Sequence, residues 1–173
     1  MEKIVIIGCG GAGKSTLARA LGDKLDLPVV HLDKLFWRPG WVHIPREEFD
    51  ALLEQELAKD TWIIDGDFER TVPRRLQFAD TVIYLDFSRF ACLTGVLHRV
   101  ISTYGKVRPD MGEGCPERFD WEFIQWIWNY RKNKRPRIYR LLENAENVDV
   151  HILKNRRQLR RFLENPVANT RIN

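Results

Sequence analysis

The chain has 173 residues, of which 44% are hydrophobic and 30% are charged, and its net charge is +4 at pH 7. This length and composition suit one globular domain with a buried core and argue against a disordered chain. The apolar runs are shorter than the roughly 18 residues of a membrane span, and the first residues have no signal-peptide layout. We therefore expect a single cytoplasmic domain over residues 1–173, without a membrane partner.

The cysteines Cys9, Cys92 and Cys115 follow no metal-ligand or redox spacing. We expect them to be free thiols in a reducing compartment. Cys9 lies just before a predicted helix N-terminus, a position that can lower a thiol pKa, although a small residue that fills the loop is the simpler interpretation.

The first predicted element is a strand that leads into a phosphate-binding loop. The apolar run from Ile4 to Ile7 predicts a strand that is buried on both faces. The residues G-C-G-G-A-G-K-S-T that follow, from Gly8 to Thr16, match the motif G-x-x-x-x-G-K-[ST] in spacing. Helical periodicity then continues to Leu25. This order of strand, loop and helix argues against the alternative, a glycine-rich turn that binds nothing.

The residue types of this loop fit a nucleotide phosphate. Glycines allow left-handed backbone angles, so the N–H groups can turn toward an anion at the positive end of a helix. In such loops the lysine, here Lys14, reaches the β- and γ-phosphates, and the hydroxyl, here Ser15, ligates Mg²⁺. We therefore predict that ATP and Mg²⁺ are bound by Gly8, Gly10, Gly11, Ala12, Gly13, Lys14, Ser15 and Thr16.

The second predicted strand covers residues 29–33 and ends at Asp33. Ligands of open α/β sheets bind at the carboxyl ends of strands, so Asp33 is expected to meet the second substrate as a base or an orienting acceptor. The alternative is a cap for the following turn. His31 is expected to be a partly buried packing residue.

The segment 33–60 is predicted to bind the acceptor. It combines an aromatic loop with a helix that begins near Pro45. Aromatic rings would stack on a planar group and arginines would hold an anion; the alternative is that the tryptophans cover a small satellite core. The predicted acceptor contacts in this segment are Asp33, Trp37, Arg38, Trp41 and Arg46.

The third predicted strand begins at residue 62 and carries an acid at Asp65. Apolar residues followed by Asp suit a Walker B motif, so Asp65 is expected to hold the Mg²⁺ shell through water, opposite Ser15. Gly66 would let the substrate approach the backbone. The arginines that would lie on the substrate side are Arg70, Arg74 and Arg75.

A lid insertion is predicted over about residues 104–135, between further strands at 79–86 and 148–153. Strands that alternate with helical segments at this spacing predict βα units and a parallel sheet. A helix over 89–103 precedes a stretch that is rich in Gly and Pro, and helical segments over 121–131 and 136–144 follow it. Irregular connections of this length inside a compact domain are usually functional, which favours a lid.

Together, these motifs resemble the adenylate-kinase-like group of P-loop small-molecule kinases. More closely, the segments V-V-H-L-D-K-L-F-W (29–37), P-G-W (39–41), I-I-D-G (63–66) and R-P-D-M-G-E-G-C-P-E (108–117) resemble the bacterial DNA topology modulation proteins of FlaR type. The resemblance spans nearly the whole chain. The family name records an attributed effect on DNA, whereas the motifs are those of a nucleotide-dependent phosphotransferase.

The resemblance implies a three-layer α/β/α P-loop fold with a five-stranded parallel sheet, in an order like 2-3-1-4-5, and a helical lid. It also implies that Arg99 stacks on adenine, and that Arg108, Arg131 and Arg135 close on the transferred phosphoryl group. With Lys14 and Asp33, these last three arginines complete the expected catalytic set. The sequence lacks the AMP-binding Thr-Gly-Asp pattern of adenylate kinases, which argues against AMP as the acceptor.

The expected reaction is transfer of the γ-phosphoryl group of Mg·ATP to a small-molecule acceptor: a nucleotide, a nucleoside or another metabolite. The alternative belongs to another class: a switch that binds or hydrolyses ATP and acts on DNA topology or another partner. Basic clusters at 131–137 and 154–161 suit nucleotide phosphates, nucleic acid or a solvated helix face. In the switch hypothesis, DNA binding would depend on Arg156, Arg157, Arg160 and Arg161.

Overall fold

The computed structural model describes residues 1–166; the polar end at 165–173, for which the composition predicts fraying, lies outside the described residues from position 167 onward. The strands are β1 (Lys3–Gly8), β2 (Val29–His31), β3 (Trp37–Arg38), β4 (Val42–His43), β5 (Trp62–Asp65), β6 (Thr81–Leu85) and β7 (Asp149–Leu153). The helices are α1 (Lys14–Leu25), α2 (Leu32–Phe36), α3 (Arg46–Leu57), α4 (Val72–Leu76), α5 (Arg89–Thr103), α6 (Trp121–Asn133), α7 (Arg135–Glu143) and α8 (Arg156–Glu164). A 3₁₀ turn covers Glu69–Thr71.

The central sheet has five parallel strands in the order β2-β5-β1-β6-β7. In β1, Ile4 pairs with Ile63 of β5 on one side and with Thr81 of β6 on the other. All three residues are almost fully buried, as expected for a parallel sheet that is covered on both faces. The predicted α/β fold and the predicted order of the parallel strands are confirmed.

The helices beside the glycine-rich loop begin and end close to their predicted positions because local signals define them. Helix α1 follows Gly13, and α5 covers the predicted residues 89–103. The Ser88 side chain caps α5 by accepting a hydrogen bond from the Ala91 N–H at 3.2 Å. Asp120 caps α6 in the same way, through the Phe123 N–H at 3.1 Å.

The segment after β2 differs from its prediction. The strand ends at His31, and Asp33 lies in the short helix α2 instead of on the strand. The reason is packing: Leu32, Leu35 and Phe36 recur at helical spacing and face the core. The predicted aromatic loop contains the hairpin β3–β4, in which Gly40 and Trp41 have positive φ angles of 80° and 63°.

The predicted lid insertion divides into two parts. Residues 104–120, called the lid segment below, are irregular apart from isolated bridges. Helix α6 packs against α5 and α7 and buries Ile127 and Tyr130, so it belongs to the body of the domain. Within residues 1–166, no helix has both the length and the apolar character needed to cross a bilayer.

Arg75 of α4 is fully buried and supports the turn after β5. Its guanidinium donates hydrogen bonds to the carbonyls of Gly66 and Asp67, both at 3.0 Å. Burial lowers the pKa of Arg75 to about 10. The predicted position on the substrate side is wrong for Arg75, because its donors are used inside the protein.

Replacing Arg75 by Met should destabilise the fold. The Arg75→Met variant keeps much of the side-chain volume but leaves buried carbonyl oxygens without donors, which costs about 2 kcal/mol. Urea denaturation followed by circular dichroism measures this loss. The matched control is Arg74→Met on the same helix, where the exposed side chain pairs with Glu54, and its unfolding midpoint should stay close to that of the parent. Equal midpoints for both variants would contradict the role of Arg75.

Candidate functional site

The loop between β1 and α1 has the backbone geometry of an anion-binding turn. Gly11 and Gly13 adopt φ angles of 78° and 97°, which residues with a Cβ rarely adopt. Gly13 directly precedes α1, so the N–H groups of the first helical turn face the same space as the loop. Lys14 opens the helix, and its ammonium group donates to the Cys9 carbonyl at 3.1 Å.

The loop is clamped from outside by α5 and α6. A Cβ on Gly10 would lie 2.4 Å from the Phe123 ring, and one on Gly11 would lie 2.2 Å from the Cys92 carbonyl oxygen. A Cβ on Gly95 of α5 would in turn lie 2.2 Å from the Gly11 carbonyl oxygen. These glycines are therefore needed for packing as well as for turning.

A cleft of about 1070 Å³ extends from this loop to the hairpin and the lid segment. The predicted site residues that line it are Gly10, Gly11, Gly13, Lys14, Ser15, Thr16, Asp33, Trp37, Trp41, Arg99 and Arg108. The predicted site residues that do not line it are Gly8, Ala12, Arg38, Arg46, Asp65, Gly66, Arg70, Arg131 and Arg135.

Asp33 lies half-buried in the cleft, between charges of both signs. Burial raises the pKa of its carboxyl group, while Lys14 and Arg108 act in the opposite direction. A carboxylate with a raised pKa is a stronger proton acceptor than an exposed Asp. The helix α2 thus presents Asp33 to the same space as Lys14, as the sequence predicts for an acid after the second strand.

Asp65 and Gly66 have different surroundings from those expected. Asp65 is 3% exposed, and its carboxylate is hydrogen-bonded to Nδ1 of His31. A Cβ on Gly66 would lie 2.8 Å from the Leu32 Cβ, so α2 is the neighbour that requires glycine there. His31, expected only to pack, is the residue that holds Asp65.

The lid segment is docked on the hairpin through backbone contacts. The Gly40 N–H donates to the Gly114 carbonyl at 2.9 Å, and the Trp41 indole donates to the Pro116 carbonyl at 3.2 Å. A Cβ on Gly112 would lie 2.2 Å from the Trp37 carbonyl oxygen. The hairpin and the lid segment therefore form a common roof over the cleft.

Buried ion pairs fix the lid segment to the cleft. Glu117, which is 4% exposed, bridges Arg99 at 3.1 Å and Arg108 at 2.8 Å, and Arg108 also pairs with Asp110 at 2.6 Å. Burial acts to raise the pKa of Asp110, but Arg108 and the Ser15 hydroxyl hold it below its usual range. The sequence assigned no role to Asp110 or Glu117, because only the fold brings them to the loop.

Arg99, which was predicted to stack on adenine, has protein partners in this structure. Its guanidinium pairs with Glu117 and lies 5.7 Å from the centroid of the Phe123 ring. The burial of the group lowers the pKa of Arg99. Arg99 lines the cleft, so nucleotide stacking stays a prediction.

Arg131 and Arg135 lie at a buried acid instead of at the cleft. The Arg135 Nε donates to both carboxylate oxygens of Asp86, at 2.9 and 3.0 Å, and the Arg131 Nε lies 4.0 Å from the same group. The Tyr139 hydroxyl donates to it at 2.8 Å. Asp86 is 5% exposed and needs these partners, which explains why both arginines point away from the predicted position.

The arginines that were predicted to lie near the acceptor pair with acids on the outer surface. Arg38 contacts Glu48 at 2.7 Å, and Arg70 makes a two-pronged contact with Asp50 at 3.0 and 2.5 Å. Arg46 and Arg70 line a second cavity instead of the cleft.

Several residues of the cleft were missed by the sequence patterns. Asp67 lines it, accepts a hydrogen bond from the Tyr130 hydroxyl at 2.6 Å, and has a pKa that is raised by burial. Three basic side chains also line it: Arg19, Lys134 and Arg156. Lys134 and Arg156 belong to the basic clusters at 131–137 and 154–161, for which nucleotide phosphates were one of the interpretations, whereas no sequence pattern pointed to Arg19.

The cysteines are all free, as predicted, and all three are buried. A hydrogen bond with Cys92 and burial raise the pKa of the Cys9 thiol. The suggestion of a thiol activated by the helix N-terminus is therefore wrong for Cys9.

The residues of the loop fit a Mg²⁺-bound nucleoside triphosphate. The space next to Gly13 is open and the Ser15 side chain faces the cleft. Within residues 1–166, Lys14 is bonded only to a carbonyl of the loop itself. Backbone N–H groups, an ammonium group and a hydroxyl are the donors and ligands that phosphates and Mg²⁺ take.

No protein-family model matches the sequence, and no curated protein sequence matches it. Solved structures do match the fold. A shikimate kinase from Acinetobacter baumannii, in complex with shikimate, has 16% sequence identity and a TM-score of 0.63, covering 96% of this chain and 91% of that chain. A shikimate kinase from Bacteroides thetaiotaomicron has 19% identity and a TM-score of 0.55, covering 94% of each chain.

The Asp33→Asn substitution should stabilise the fold at pH 7. Because the folded state raises the pKa of Asp33, it binds this proton more tightly than the unfolded chain does, and the ionised form costs stability. The gain in the urea midpoint should shrink as the pH falls toward 4 and Asp33 becomes protonated.

The matched control for this experiment is Asp50→Asn. The hydrogen bond from Arg70 lowers the pKa of Asp50, so its contribution is present above the unfolded pKa and is lost at lower pH. The Asp50→Asn substitution should therefore lower the urea midpoint slightly at pH 7 and leave it unchanged at low pH. If the urea midpoint at pH 7 shifts in the same direction in both variants, the electrostatic account of Asp33 is contradicted.

Proposed function

We propose that the protein is an ATP-dependent phosphotransferase that acts on a small-molecule acceptor. One observation carries this proposal: Lys14 of the glycine-rich loop, Asp33 of α2 and Arg108 of the lid segment line the same cleft. A phosphate-binding loop alone would suit any NTPase, but an acid and a roofed pocket opposite the loop provide a place for a second substrate. The fold, which is shared with two shikimate kinase structures, supports the same conclusion.

The chain's own groups would act mainly by positioning and by compensating charge. Lys14 and the loop N–H groups would hold the β- and γ-phosphates, and Ser15 would hold Mg²⁺. Mg²⁺, when bound, supplies positive charge that neutralises the phosphate oxygens. Arg108 would meet charge on the transferred group if it exchanged one of its present partners, Asp110 or Glu117.

Asp33 would orient the acceptor hydroxyl and accept its proton. Its raised pKa suits that task, because a carboxylate in ordinary water is a weak base. The lid segment and the hairpin would exclude water, so that the acceptor instead of water receives the phosphoryl group. The nearby rings of Trp37 and Trp41 suit an acceptor with a planar or apolar face.

The experiment that tests the proposal is acceptor-dependent ADP release with Mg·ATP. The panel should contain nucleosides, nucleoside monophosphates and small alcohols, with shikimate included because one of the similar structures contains it. Stimulation by one acceptor, with its phosphorylated product detected by mass spectrometry, is the expected result. Slow hydrolysis that no acceptor changes would contradict a kinase.

The Lys14→Ala variant should lose at least about 100-fold in acceptor-dependent turnover. The reason is that the loss of a charged donor aimed at the transferred phosphoryl group removes transition-state stabilisation. The steady-state rate of ADP release measures it. The matched control is Lys59→Ala, which removes an exposed lysine paired with Glu56 at the end of α3 and should turn over at the parental rate. If Lys14→Ala turned over at the parental rate, the assignment of the glycine-rich loop as the site of the transferred phosphate would be refuted.

The Gly112→Ala variant should uncouple ATP consumption from transfer. Its Cβ would press on the Trp37 carbonyl and displace the lid segment from the hairpin, admitting water to the cleft. The ratio of inorganic phosphate to phosphorylated acceptor should rise several-fold. Glu113→Ala, at the exposed neighbouring position, is the control and should keep the parental ratio. An unchanged ratio in both variants would show that the docked lid segment does not protect the reaction.

The second candidate, an ATP-dependent switch that acts on DNA, is favoured by one observation. Helix α8 presents a row of exposed arginines, Arg156, Arg157, Arg160 and Arg161, and Arg156 also lines the cleft. This hypothesis predicts DNA binding that weakens steeply with salt and with substitution of these arginines. If no binding to duplex DNA is measured at low salt, the switch hypothesis in this form is excluded.

A further inference from the structure

Helix α5 and the residue that follows it carry a row of apolar side chains that faces away from the core. The inner side of the helix buries Cys92, Val96 and Val100 in the core. The outer row, called the α5 stripe below, consists of five residues at helical spacing: Phe90, Leu93, Leu97, Ile101 and Tyr104. Four of them are 53% to 74% exposed, and Leu93 is partly buried. Among residues 1–166, no segment covers this stripe.

The α5 stripe is large enough to form the centre of a protein interface. Trp128 of α6 extends it, because its ring lies 6.0 Å from that of Phe90 and the residue is 47% exposed. If a whole aromatic side chain has roughly 150–250 Å² of surface, the exposed side chains of the patch offer about 500–600 Å² per copy. In a standard dimer interface each partner buries about 800 Å², of which roughly two thirds are apolar at the centre. An exposed apolar patch of this size is often an interaction site.

The spacing of the α5 stripe is the same in both directions from Leu97. Phe90 and Tyr104 lie seven residues before and after it. Leu93 and Ile101 lie four residues before and after it. In an antiparallel pair of such helices, Leu97 meets its counterpart, and each residue before it meets the partner's residue at the matching distance after it. An interface with a two-fold axis requires this self-complementarity, because every contact between the two copies occurs twice.

The charges at the ends of α5 favour the same antiparallel arrangement. Arg89 is the first residue of the helix, where the positive end of the helix dipole makes a further positive charge unfavourable. The last turn of α5 contains no basic residue that would compensate its negative end. In an antiparallel pair, Arg89 of each copy lies near the C-terminal carbonyl groups of the other α5. A lipid surface would provide no such pairing and would not require the symmetric spacing of the stripe.

We propose that the α5 stripe is the interface of a two-fold dimer with a second copy of this chain, in which the two α5 helices run antiparallel with Leu97 on the axis. Another side of the same helix packs Gly95 against Gly11 of the glycine-rich loop. A partner on the stripe would therefore brace the helix that clamps the loop. The dimer does not depend on the proposed phosphotransferase activity.

The test measures the mass of the full chain by analytical ultracentrifugation at tens of micromolar. The parent should have twice its chain mass of 20.4 kDa. Leu97→Glu should be monomeric, because two carboxylates would meet on the axis, and Leu97→Lys should be monomeric for the same reason. The matched control is Val42→Glu, at an exposed apolar position on the hairpin, which should stay dimeric. A monomeric parent, or a dimer that Leu97→Glu leaves intact, would overturn the proposal.

An equimolar mixture of Leu97→Glu and Leu97→Lys tests the two-fold arrangement itself. The mixture should recover the dimer mass, because opposite charges then meet on the axis. Only a contact of position 97 with its own counterpart predicts this rescue. If the mixture stays monomeric while both variants keep the parental circular dichroism spectrum, the proposed arrangement is overturned.

Two further arms separate the dimer from the reaction and from a membrane surface. Lys14→Ala should keep the dimer mass, so that loss of turnover and loss of the dimer can be told apart. Vesicles of phosphatidylcholine and phosphatidylserine should not pull down the parent when they are sedimented. A monomeric parent that binds these vesicles, with Leu97→Glu failing to bind, would assign the stripe to a lipid surface and overturn the proposal.

Discussion

The structure depends on the close packing of the glycine-rich loop between the sheet and two helices. A Cβ on Gly8 would lie 2.8 Å from the Leu85 carbonyl oxygen, while Gly10 and Gly11 have no room for one against α6 and α5. The loop therefore has little freedom before any ligand arrives. Such preorganisation reduces the conformational entropy that a phosphate ligand would have to overcome, and it fixes the position of Lys14 at the start of α1.

A second set of contacts determines the shape of the cleft. The lid segment is joined to the hairpin by the hydrogen bonds that its Gly114 and Pro116 carbonyls accept, and to α5 by the ion pair between Glu117 and Arg99. Burying these charges is costly unless each has a partner, and the Arg108 guanidinium forms ion pairs with both Glu117 and Asp110. A ligand with phosphate oxygens could replace these carboxylates as the partner of Arg108. The network thus links the docked lid segment to the contents of the cleft.

The sequence predicted well the features that are determined by neighbours along the chain. The strand, loop and helix around Lys14 and the limits of α5 follow from apolar periodicity and glycine positions. The order of the parallel strands was implied by the resemblance to P-loop small-molecule kinases, and the sheet has that order. Asp33 reaches the cleft as predicted, although from a helix. Its place was predictable because the carboxyl end of β2 points there.

The features that the sequence did not predict depend on residues far apart in the chain. Arg131 and Arg135 are basic residues near the lid segment, and only the fold shows that buried Asp86 holds them. His31 and Asp65 meet because β2 and β5 are paired in register. Gly112 and Gly114 are required by the hairpin, because a Cβ at either position would clash with Trp37 or Pro39.

The measurement that tests the central claim most directly is a crystal structure of the protein with Mg·ADP. The account predicts that the β-phosphate lies in the loop between β1 and α1, within hydrogen-bond distance of the Lys14 ammonium group. The present bond from Lys14 to the Cys9 carbonyl would then be broken. A nucleotide bound outside the loop, or Lys14 still bonded to Cys9 while ADP is present, would contradict the account.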